Sequence, residues 1–99
     1  MSEIRPAQFP IVNNVRLILA NTEYSFKLND SVRRFTVRAR QPVSFKMSFQ
    51  EGQSNTHYLD IFSSEVWTED EVYGTITLYL QSSTPDTTIE VLQWVERQF

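Results

Sequence analysis

An all-β antiparallel sandwich is the fold these 99 residues predict, on three observations. Apolar and polar side chains alternate with period two in run after run, the mark of half-buried strands. No window sustains the i, i+3, i+4, i+7 spacing of an amphipathic helix. Turn-forming residues cut the chain into about seven or eight short runs, as in a two-sheet jelly-roll or immunoglobulin-like sandwich.

The runs follow in order. Residues 1–12, MSEIRPAQFPIV, contain Pro6 and Pro10. Each proline removes a backbone donor and biases its predecessor toward extended conformations, so this stretch reads as an extended N-terminal arm. Phe9 and Ile11 on that arm need an apolar surface, either on the domain over 13–99 or on a neighbouring subunit. Val15, Leu17 and Leu19 then alternate with Arg16 and Ile18, and Tyr24, Phe26 and Leu28 with Ser25 and Lys27.

In VRRFTVRAR (32–40), Phe35, Val37 and Ala39 take one face, opposite Arg34, Thr36, Arg38 and Arg40. Val43, Phe45, Met47 and Phe49 form the cleanest alternation. HYLDIFSSEVW (57–67) reads as one short strand. GTITLYL (74–80) sets Ile76, Leu78 and Leu80 against Thr75, Thr77 and Tyr79. The last run sets Ile89, Val91 and Val95 against Leu92 and Trp94. Turn residues separate the runs at Asn21-Thr22, Asn29-Asp30-Ser31, Gln41-Pro42, EGQSNT, Glu69-Asp70-Glu71 and SSTPDT. One packed and one wet face per strand indicates antiparallel layers rather than a buried parallel sheet.

Length allows a single core. The absence of cysteine leaves neither disulfides nor thiolate metal sites to reinforce it. The longest purely apolar run, residues 17–20, is far short of the ~20 residues of a membrane span. The N-terminus carries no basic segment followed by an apolar core. Assembly in the cytoplasm, away from membranes, is the expectation.

Charge is segregated along the chain. Residues 1–50 hold eight basic groups against three acidic, a balance of +5, and residues 51–99 hold one against nine, a balance of −8. Basic and acidic strands lying side by side would neutralise each other across the sheet. Alternatively, a basic face of one copy meets an acidic face of the next.

Nothing in the sequence points to catalysis. His57 is the sole histidine and sits in a polar stretch, with no serine and carboxylate at triad spacing. Two glycines make no phosphate-cradling loop. Glu69-Asp70-Glu71 lacks the alternating ligands and the glycine of a calcium loop, and reads as a solvated turn. No catalytic residue, cofactor or metal is expected.

The arginine face of 32–40 reads as a solvated or internally paired strand surface, or as a protein contact, since Arg recognises carboxylates and is enriched at interfaces. Nucleic acid fits poorly: the sequence pI is near 5.0 and the basic half exposes no aromatic stacking platform. Leu92 and Trp94, opposite the core face of the last run, add an apolar patch of the kind that marks association. The candidate interface is therefore Phe9, Ile11, Arg34, Arg38, Arg40, Tyr79, Leu92 and Trp94.

Four stretches carry a resemblance. ANTEYSFKL (20–28) leads into RRFTVRAR (33–40), and GTITLYLQS (74–82) is followed by TTIEVLQWV (87–95). These resemble small capsid-associated virion proteins of tailed bacteriophages, of the decoration or cement type. EGQSNTH and SSEVWTE depart from the glycine-rich turns of that group. The resemblance implies a β-sandwich without enzymatic activity at the capsid surface, homo-oligomeric as a trimer or dimer. Its partner would be the major capsid protein or another virion protein. The alternatives are a carbohydrate-binding or tail-fibre module presenting Trp67, Trp94, Tyr79 or Tyr24 as a platform, and a head–tail connector component.

Overall fold

The computed structural model describes residues 8–96, which form eight strands. These are β1 (Gln8–Leu17), β2 (Tyr24–Lys27), β3 (Val32–Ala39), β4 (Phe45–Ser48), β5 (Leu59–Ile61), β6 (Trp67–Glu69), β7 (Thr77–Gln81) and β8 (Thr87–Glu96). They build two four-stranded antiparallel sheets, β1-β8-β3-β6 and β2-β7-β4-β5. First pairs with last, second with seventh, third with sixth and fourth with fifth. That is one long antiparallel hairpin rolled onto itself, the jelly roll. The β1→β2, β3→β4, β5→β6 and β7→β8 connections therefore gather at one end of the sandwich. The other three gather at the opposite end.

Alternation places the core between the sheets. From β1-β8-β3-β6 come Leu17, Val32, Phe35, Val37, Ile89 and Val91; from β2-β7-β4-β5 come Phe45, Met47, Ile61, Leu78 and Leu80. Gln93 breaks the apolar pattern on the inner face of β8, yet it is satisfied there. Its Oε1 accepts from the Asn29 amide at 2.7 Å and its Nε2 donates to Asn13 at 3.0 Å. A buried amide so paired ties β1 and the β2–β3 turn to β8 at little cost.

Several expectations need correction. Residues 8–12 of the expected arm are the first half of β1, laddered to β8 from Gln8↔Glu96 onward; residues 1–7 lie outside the described chain. Pro10 is tolerated because β1 is an edge strand, where a missing donor costs no ladder bond on the open side. HYLDIFSSEVW is not one strand: β5 and β6 belong to different sheets, joined across one end of the sandwich by 62–66. Leu19 and Phe49 share parity with the core but are exposed, because their strands end at Leu17 and Ser48.

One irregularity rescues the packing of β3. The register shifts between Val32 and Arg34, a bulge that inserts Arg33. An extra residue flips parity. Val32 thereby joins Phe35 and Val37 inside instead of sharing the face of Arg34.

Candidate interaction surface

The outer face of β1-β8-β3-β6 carries five of the eight expected interface residues. Register fixes their neighbours: Pro10, Trp94 and Arg34 lie in one row, Val12, Leu92, Thr36 and Thr68 in the next, then Asn14, Glu90 and Arg38. Arg40 continues the row pattern, its amide bonded to the Thr88 carbonyl at 2.9 Å. Leu92 and Trp94 are half-buried, while Val12 is 52% exposed. The patch arises because β8 is apolar on both sides and the second sheet covers only one.

Every arginine of VRRFTVRAR has a partner. Arg33 Nε lies 2.7 Å from Glu96, Arg34 Nε 2.9 Å from Asp70 and Arg38 Nε 2.9 Å from Glu90. Arg40 Nε donates to Asn14 Oδ1 at 2.9 Å. The arginine face is thus an internally paired strand surface. Nε makes the contact for Arg34, Arg38 and Arg40, and each guanidinium carries four further N–H donors. Arg34 and Arg38 keep more than half of their side-chain surface in solvent.

The other three expected residues lie elsewhere. Phe9 and Ile11 sit on the inner side of β1, opposite Val95 and Gln93, and are turned away from the outer face. Both are half-buried there. Tyr79 belongs to the other sheet, half-buried between Ser25 and Ser48 on its outer face. It cannot join the arginine face, because the sandwich stands between them.

That second outer face is partly covered by its own β4–β5 loop. Ser54 is buried against it and receives a hydrogen bond from Gln81 Nε2 at 2.7 Å. Glu23 holds the loop: its carboxylate accepts from Ser54 Oγ, from the Ser54 amide at 3.1 Å and from the Gly52 amide at 2.9 Å. What burial there is works to raise the Glu23 pKa. The hydrogen bonds to the charged form outweigh it and hold the group below its ordinary value of 4.5.

The four aromatics expected as a sugar platform, Tyr24, Trp67, Tyr79 and Trp94, are all half-buried. Among the described residues Phe49, Tyr58, Phe62 and Tyr73 are exposed, and Tyr73 is the barest of these rings at 76%; it lies outside every strand and gave no periodic signal. Among the described residues no group of His, Cys, Asp and Glu is arranged to hold a metal ion. Compared with family models, curated proteins and solved structures, the chain finds no match.

Proposed function

We propose that this chain is a non-catalytic virion component of tailed bacteriophages that binds the capsid lattice and stabilises it as a homo-oligomer. The carrying observation is the adjacency of Pro10, Val12, Leu92 and Trp94 on an outer sheet face bordered by Arg34 and Arg38. Apolar centres ringed by polar groups with spare donors are what protein interfaces use. The likeness of residues 20–40 and 74–95 to capsid-associated proteins supports the reading. So does the jelly roll, a topology common in viral capsid and lectin domains, though this is support by analogy of fold. Each copy would bury the Leu92–Trp94 patch on a shell subunit while the half-exposed guanidinium groups of Arg34 and Arg38 fix its orientation. Repetition over the lattice multiplies modest contacts.

Purified protein added to undecorated shells should co-sediment with them and raise their melting temperature. An unchanged melting temperature without co-sedimentation overturns the proposal. The mass of the free particle separates a dimer or trimer from the ring expected of a head–tail connector.

A further inference from the structure

At the end of the sandwich away from the β1–β2 loop, the segment between β6 and β7 is pinned at its centre. Val72 is buried, and its amide donates to the Arg33 carbonyl at 2.7 Å. Its neighbours Glu71 and Tyr73 therefore turn outward. Glu71 adopts a left-handed φ of 56° and Gly74 a φ of 103°. Strain at a non-glycine residue persists where surrounding structure over-determines a loop's shape, and it concentrates at ligand clamps.

Tyr73 is consequently an exposed ring held in a set orientation. The Arg33 guanidinium lies 5.2 Å from its centroid, and Arg33 is itself held by Glu96. Two clefts share Tyr73, Asp70 and Glu71. The larger contains Arg33 and Arg34. The other, about 440 Å³, has no cation among its lining residues and adds Phe49, Glu69, Val72, Thr75, Ile76 and Thr77 to the shared three. Of the two clefts, Arg33 lines only the larger.

We propose that this smaller cleft binds a neutral pyranose sugar. An aromatic face beside carboxylates and hydroxyls suits a pyranose: its C–H face packs on the ring of Tyr73. Its hydroxyls donate to Asp70 and Glu71 and exchange hydrogen bonds with Thr75 and Thr77. The volume lies within the range of small-ligand sites. The acidic lining repels anionic saccharides. An organic cation is the competing occupant, since the same ring and carboxylates attract positive charge, and the test below includes one. The site meets the Leu92–Trp94 face only through the Arg34–Asp70 ion pair, and its test reads sugar binding by the free chain, so either assignment can fail alone.

The test is amide chemical-shift mapping of the full chain with neutral trisaccharides of glucose, galactose, mannose and N-acetylglucosamine. Tetramethylammonium and heparin serve as contrasting probes. Binding by at least one neutral sugar, saturating on the order of millimolar, is expected to move amides in 69–77 and at Phe49. Tyr73→Ala should weaken it at least ~10-fold, and Glu71→Gln less. Both side chains are exposed, so both variants should keep the spectrum of the folded chain elsewhere. No response to any of the four sugars overturns the proposal. So does a response that survives Tyr73→Ala, or shifts of these amides by tetramethylammonium or heparin alone.

Discussion

Arg38 and Glu90 stand directly opposite each other on the β3–β8 ladder, with Arg38 Nε 2.9 Å from Glu90 Oε2. They belong to opposite halves of a chain whose first half is basic and whose second half is acidic. Arg16–Asp86, Arg33–Glu96 and Arg34–Asp70 repeat the pattern. Rolling the chain so that its last strand lies between its first and third converts segregation along the sequence into neutralisation across strands.

Arg38→Glu should therefore cost about 1 kcal/mol, because like charges then face each other at a partly exposed cross-strand position. Exchanging the two charges, Arg38→Glu with Glu90→Arg, should recover most of it. Urea denaturation of the single and double variants measures the coupling. A double variant no more stable than Arg38→Glu would mean the pair contributes nothing.

Phe45 and Phe49 share parity in one run but have opposite surroundings. Phe45 is 2% exposed within the core and Phe49 is 43% exposed past the end of β4. Phe45→Ala should destabilise by about 3–5 kcal/mol, the transfer and cavity cost of a buried ring. Phe49→Ala should stay within about 0.5 kcal/mol, as exposed substitutions usually do. The difference in urea midpoint between the two variants tests the strand boundary at Ser48.

Glu23 makes the β4–β5 loop sensitive to acid. Its folded pKa is depressed, so its contribution is fully present above the ordinary value of 4.5 and is lost as the pH falls through the folded value. Protection of the Gly52 and Ser54 amides from hydrogen exchange should be constant near neutrality and fall on acidification past that point. In Glu23→Gln it should be low throughout. Full protection of both amides in that variant would remove Glu23 as the latch.

Trp94 offers a way to separate association from folding. Trp94→Ala removes a half-buried ring from an outer face, so the chain should remain folded, while a central interface aromatic costs at least about 2 kcal/mol of binding. Affinity for capsid shells should fall roughly 30-fold. Retained shell binding, checked by co-sedimentation beside a melting curve of the free variant, would move the contact to another surface.

The sequence by itself determined the class of fold and the side of most strands. Alternation in 32–40 and 74–96 is a direct consequence of the period of a β-strand, and it placed Phe35, Val37, Leu78 and Val91 inside before any pairing was known. It also turned Arg34 and Arg38 outward on one strand and Leu92 and Trp94 outward on another, though only the β3–β8 ladder makes these one face. Parity is local, so it survives ignorance of partners.

What parity cannot supply is where a strand stops, which sheet it joins or whether a residue is inserted. Those depend on contacts between residues far apart in sequence. Only the tertiary structure put Tyr79 on the far sheet, turned Phe9 inward against Val95, and used the bulge at Arg33 to bring Val32 into the core. Tyr73 was invisible for the same reason: its exposure follows from the burial of Val72 beside Arg33, a contact between β3 and a loop nearly forty residues later. Side-chain facing is written in neighbours along the chain, but the company a face keeps is decided by how the chain is rolled.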